Sequence, residues 1–172
     1  MKLLIHDFKE ANFKELLTST IDNTTIVSDN DTIHNCIGCF GCWIRTPGTC
    51  VIHDKCEDMG ENLSKCQEVI IISKCFYGGF SPFVKNVMDR SISYIHPYFE
   101  IRNGEMHHRS RYKNHFDLKV WFYGENITEQ EKQTAGKLIQ ANAINLHCSV
   151  KKVTFVQDIT EIINQLKRPE EC

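Results

Sequence analysis

The sequence predicts an α/β fold: a five-stranded parallel sheet, order 2-1-3-4-5, with helices on both faces and a single domain over residues 1–172. Three observations predict it. Apolar runs of strand length alternate with helically spaced apolar residues along the chain. The run Val69-Ile70-Ile71-Ile72 suits a strand covered on both faces. Helix-capping residues stand where three of the helical patterns begin.

The elements follow in order. Residues 2–8 read as the first strand, and Phe13, Leu16 and Leu17 share one face of the next helix. Residues 24–28 form a short second strand. A cysteine-rich loop comes next, then a helix through Met59, Leu63 and Cys66, spaced i, i+4 and i+7. The third strand spans residues 68–75. Ser81-Pro82 then opens a helix with Val84, Val87 and Met88 on its buried face. Serine is a favoured N-cap, and proline at N1 lacks only an N–H that would have no helical partner. Residues 118–123 are the fourth strand. Thr128 and Glu131 make a capping box before Ala135, Leu138 and Ile139. Residues 150–156 are the fifth strand, and Asp158 and Glu161 repeat the capping pattern before Ile162, Ile163 and Leu166. Asp89-Arg90 reads as a structural ion pair. Residues 96–115 break the alternation. They are polar and rich in histidine and arginine, and read as a long connector. Such a length in a compact domain points to function, disorder or an oligomer contact, so self-association is expected.

Composition narrows the function. The formal net charge of −2 gives no field for nucleic acid or acidic membranes. The apolar run at Met1–Ile5 is too short for a signal peptide and no stretch is long enough to span a bilayer, so a cytoplasmic location is expected. In a reducing compartment, nine cysteines point to metal or redox chemistry rather than a disulfide framework. Five of them fall within residues 36–56; Cys66, Cys75 and Cys148 read as small core residues.

Ligands of doubly wound sheets bind beyond the carboxyl ends of the strands. Residues 7–12, 76–81 and 123–127 are the loops in question, and the cysteine loop is expected on the same edge. Phe76-Tyr77-Gly78-Gly79-Phe80-Ser81 combines close backbone approach with aromatic faces that can stack on a flat ring, or forms an ordinary turn. Cys36, Cys39 and Cys42, at every third position, with Cys50 beyond, match iron–sulfur ligation better than the separated pairs of structural zinc. Reduced pocket thiols and a reversible disulfide are the alternatives. His107-His108 with Arg109 and Arg111 can hold the phosphates of a nicotinamide dinucleotide, or form a solvated loop.

The run from Ser73 to Ser81, continuing to Lys85 and Asp89-Arg90, resembles the third-strand segment of the NAD(P)H-dependent FMN reductase family. Cys36-x2-Cys39-x2-Cys42-Trp43, with Thr46-Pro47-Gly48 and Cys50, resembles the same family and the iron–sulfur flavoproteins. The resemblance implies a flavodoxin-like fold, bound FMN, NADH or NADPH as co-substrate, and a homo-oligomer, usually a homodimer or tetramer. It assigns flavin contacts to Phe76, Tyr77, Gly78, Gly79 and Ser81, with Tyr123, Gly124 and Glu125 nearby. It assigns a 4Fe–4S cluster to Cys36, Cys39, Cys42 and Cys50. The family's Gly/Ser/Thr-rich phosphate loop is replaced here by residues 6–12. Lys9 and a helix N-terminus at Asn12 can attract a phosphate, while Asp7 and Glu10 oppose it. Lys74 stands where relatives usually carry proline. Three readings follow. The first is an FMN-dependent NAD(P)H oxidoreductase that passes electrons to a small-molecule or protein acceptor. The second is an iron–sulfur flavoprotein electron carrier. The third is a flavin-free binding or regulatory module.

Overall fold

The computed structural model describes residues 1–9 and 23–167. The expected helix at Phe13–Leu17, the proposed phosphate contact Asn12, the side chain of Lys9 and the C-terminal Cys172 lie outside the described residues.

The described elements are β1 (Lys2–Lys9), β2 (Thr24–Asp29), α1 (Gly41–Ile44), α2 (Met59–Ser64), β3 (Glu68–Lys74), α3 (Pro82–Arg90), a 3-10 turn (Ile92–Tyr94), β4 (Ile95–Arg102), β5 (Glu105–Ser110), β6 (Asp117–Tyr123), α4 (Glu129–Leu146), β7 (Ser149–Val156) and α5 (Ile159–Lys167). The main sheet has order β2-β1-β3-β6-β7, and every pairing in it is parallel. Counting only strands of this sheet, the order is 2-1-3-4-5.

The side chains of β3 divide by parity between two cores, as a strand's period of two requires. Val69 and Ile71 face a core with Val84 and Val87 of α3 and Ala135 and Ile139 of α4. Ile70 and Ile72 face the other, with Ile162 and Ile163 of α5. Both faces are covered, which is why this strand carries no polar alternation.

The caps form where the sequence places them. Ser81 Oγ accepts from the Val84 N–H, and the Thr128–Glu131 box closes in both directions. Asp158 Oδ1 accepts from the Thr160 N–H at 2.7 Å and from the Glu161 N–H at 3.4 Å.

Residues 96–115 correct the expectation of a connector. They contain most of an antiparallel hairpin, β4 with β5, apart from the main sheet. Its two-residue turn is Asn103-Gly104, with φ of 52° and 83°. Positive φ at both turn residues matches the twist of the flanking strands and favours Asn-Gly.

Candidate functional site

The carboxyl edge is tied together by Asp7. One of its carboxylate oxygens accepts from the Lys74 N–H at 2.8 Å and the other from the Tyr123 hydroxyl at 3.0 Å. This joins the ends of β1, β3 and β6. Burial, the Asp7 charge and that hydrogen bond all push the Tyr123 hydroxyl's pKa up.

The loop after β3 is a closed turn. Phe76 and Gly79 exchange backbone hydrogen bonds of 3.0 and 2.8 Å, and Tyr77 and Gly78 between them have φ of 51° and 77°. Gly78 sits against α4, where a Cβ would lie 2.7 Å from Thr134 Cβ and 2.8 Å from the Glu131 carbonyl oxygen. Gly79 is less confined, with Phe76 O at 3.3 Å. Tyr77 is 91 % exposed and Phe76 is also exposed. Ser81 is buried, its N–H donating to Ser73 Oγ and its hydroxyl capping α3.

Beside this turn, a cleft of about 620 Å³ is lined by Lys74, Cys75, Tyr123, Gly124, Glu125 and, across it, Glu131 and Asp158. Lys74 is the one cation among the described lining residues. The helix N-termini here already hold carboxylates, Glu131 on Thr128 and Asp158 on Thr160. Among the described residues, the edge therefore offers aromatic faces for a flat ring but little that would attract a phosphate. The expected phosphate contacts at Lys9 and Asn12 fall outside what is described.

The cysteine loop is held by α3. Asn86 clamps it from both sides, accepting from the Cys36 N–H at 2.8 Å and donating to the His34 carbonyl at 3.2 Å. Arg90 donates to the carbonyls of His34 and Ile52 and makes a two-armed ion pair with Asp54, both arms 2.8 Å. Asp54 also accepts from the His34 and Cys56 N–H groups. Arg90 pairs across the fold with Asp54, while its neighbour Asp89 pairs with Lys85 at 2.5 Å. The sequence reading of Asp89-Arg90 as one ion pair is thereby corrected. Trp43 anchors α1, its indole N–H shared between the carbonyls of Ile92 and Ile95.

Cys36, Cys39, Cys42 and Cys50 line one cavity of about 260 Å³, with Ile37 and Arg90 among its walls. Cys56 is fully buried and does not line it. Burial pushes the Cys42 thiol up, and thiolate charge on Cys50, and then on Cys36 and Cys39, would push it further. Among the described residues, no three His, Cys, Asp or Glu side chains are close enough to hold one metal ion. A single tetrahedral ion with sulfur at about 2.3 Å would draw its ligands to about 3.8 Å from one another. The four cysteines instead share a wider cavity, Cys42 and Cys50 buried and Cys36 and Cys39 exposed.

Two expectations about placement change. The thiol pocket borders Asp89 and Arg90, at the last turn of α3, whereas the aromatic turn adjoins Ser81, its N-cap. A nine-residue helix separates them by about 13 Å at 1.5 Å per residue, so the thiols and the aromatic turn do not converge on one edge. In the His/Arg-rich segment, His108 lies between the rings of Trp43 and Phe99, His107 contacts Asn145, and Arg111 donates to backbone carbonyls. Arg109 alone of the four is exposed. Sequence reasoning missed Asn86 and Asp54. Their roles depend on contacts across 50 and 36 residues that no local spacing encodes.

Comparison with solved structures finds the same architecture in an NADPH-quinone reductase from P. pentosaceus, with a TM-score of 0.55 at 12% identity over 96% of this chain and 92% of that one. The fold is flavodoxin-like. Trp repressor binding protein from Bacillus subtilis is similar over the full length of both chains, with a TM-score of 0.53 at 12% identity. General stress protein 14 from Treponema denticola, solved in complex with FMN, has a TM-score of 0.52 at 10% identity over 97% of this chain and 91% of that one. At such identities the likeness is one of fold. No family model matches the chain, and no curated protein matches it in sequence. No helix among the described residues is long and apolar enough to cross a membrane.

Proposed function

We propose that the protein is a flavin-dependent redox protein of the iron–sulfur type, which takes electrons from NADH or NADPH and passes them one at a time to an acceptor. The observation that carries this reading is the gathering of Cys36, Cys39, Cys42 and Cys50 around one cavity in a flavodoxin-like fold. The donor set suits a 4Fe–4S cluster in its chemistry: four thiols bordering one cavity, two of them buried. Bound FMN would supply hydride acceptance and single-electron release, and the cluster single-electron steps.

The chain's own residues would do the following. Phe76 and Tyr77 present ring faces at the carboxyl edge, and Gly78 fixes their turn against α4. Tyr123 and Asp7 hold β1, β3 and β6 in register beneath that turn. Asn86 and Asp54 hold the loop that bears the thiols. A flavin-free module is the second reading, favoured by the acidic lining at Glu125, Glu131 and Asp158.

Self-association belongs to the same proposal. The hairpin exposes Tyr98, Phe99, Ile101 (82 % exposed) and Met106, an apolar patch of the kind that marks an interaction surface. Sedimentation at micromolar concentration is expected to show a dimer; a monomer throughout would remove this part.

The visible spectrum of protein purified without oxygen tests the function. Two flavin bands and a broad brown shoulder, all bleached by NADH or NADPH, are expected. Protein that stays colourless after incubation with FMN, iron and sulfide would leave the flavin-free reading in place.

A further inference from the structure

Arg90 is one of the most buried charged groups in the fold, and its donors can be counted. A guanidinium has five N–H donors. Nη1 donates to the His34 carbonyl and to Asp54, and Nη2 donates to the Ile52 carbonyl and to the other oxygen of Asp54. These contacts account for the four terminal N–H groups. The fifth, on Nε, is buried and has no hydrogen-bond partner among the described residues. Leaving such a donor without an acceptor is destabilising, so its retention calls for an explanation. The same side chain forms part of the wall of the four-cysteine cavity.

We propose that Arg90 is a positioning residue for the sulfur-bound group of this cavity, its Nε–H donating to a sulfur there. The inference rests on the iron–sulfur reading and deepens it. Hydrogen bonds to cluster and cysteine sulfurs stabilise the more negative, reduced state and so raise the reduction potential. The fold makes this a directional effect more than a net charge. Asp54 neutralises the guanidinium and fixes its plane, so the arginine–aspartate pair adds an oriented N–H at the cavity wall without adding unbalanced charge.

The charge-neutral double substitution Arg90→Met with Asp54→Leu separates the two effects, because it removes the donor without changing the sum of charges. It replaces a buried pair with apolar side chains, a change proteins often tolerate, but also removes the acceptors of the His34 and Cys56 N–H groups, so a variant that keeps Asp54 is needed beside it. Arg90→Lys keeps a cation but has no Nε–H at that place. Each protein is reconstituted anaerobically with iron and sulfide, its iron counted, and its potential titrated. With iron content equal to wild type, both variants are expected to shift to lower potential, changing the oxidised-to-reduced ratio at fixed potential by about tenfold, 59 mV for one electron. Unchanged potentials at full iron content would overturn the role of Arg90 while leaving the cluster standing. Wild-type protein that takes up no iron would overturn the cluster, and this inference with it. A measurement on wild type is independent of whether the variants fold. With ¹⁵N-labelled arginine, pulsed electron paramagnetic resonance of the reduced protein is expected to show nitrogen coupling from one arginine, and its absence would overturn the proposal.

Discussion

Arg90 and Asp54 meet in a two-armed ion pair, with side chains 0 % and 5 % exposed, between the last turn of α3 and the loop after the cysteines. Removing either partner leaves the other charge buried and unpaired. Arg90→Ala or Asp54→Ala is therefore expected to cost about 3–5 kcal/mol in urea unfolding. The pair also sets a pH dependence. Burial pushes the Asp54 carboxyl up, but hydrogen bonds from Arg90, His34 and Cys56 outweigh it and hold the pKa below 3.8. A carboxyl depressed in the folded state contributes stability above its unfolded value and loses it as pH falls through the folded value. Stability from this pair should be complete above about pH 4 and decline in more acidic solution, and Asp54→Asn should flatten that decline.

The remaining thiols divide by environment. Burial pushes Cys56 up to about 12, Cys66 to about 11 and Cys148 to about 12. Thiolate is the reactive form, so these three should resist alkylation in the native protein at pH 8. Exposed Cys36 and Cys39 should be modified first in the metal-free protein. Mass spectrometry of timed iodoacetamide reactions checks the order, and early modification of Cys56 would contradict the burial described.

Gly78 is the sensitive glycine of the aromatic turn. Gly78→Val would place a branched side chain against Thr134 and the Glu131 carbonyl, at a φ of 77° that branched residues avoid. The expected result is a loss of about 1–3 kcal/mol in stability and weaker FMN retention. Gly79→Val, facing Phe76 O at 3.3 Å, should do less on both counts. Equal effects, read from thermal melts and FMN absorbance, would place the ring elsewhere.

Much of this fold was legible because its signals are local. The β-branched run at Val69–Ile72, the cap at Ser81 and the box at Thr128–Glu131 each act within a few residues, and each forms as the pattern requires. The hairpin was missed because its apolar residues, Tyr98, Phe99, Ile101 and Met106, are diluted by charges. Asn103-Gly104, the residues that make its turn, were the available signal. The thiol cluster was legible from spacing. Its distance from the aromatic turn was not, because α3 sets that distance and sequence does not show which end of a helix a loop will meet. The pairing of Arg90 with Asp54 rather than Asp89 is likewise a tertiary choice.

The most direct test is the iron and acid-labile sulfide content of the wild-type chain after anaerobic reconstitution, beside Cys42→Ser and Cys50→Ser, the two variants that remove buried thiols from the cavity. The account predicts about four irons and four sulfides per chain in wild type, with most of that bound iron lost in each variant. Wild-type protein that retains no iron, or variants that retain as much as wild type, would contradict it.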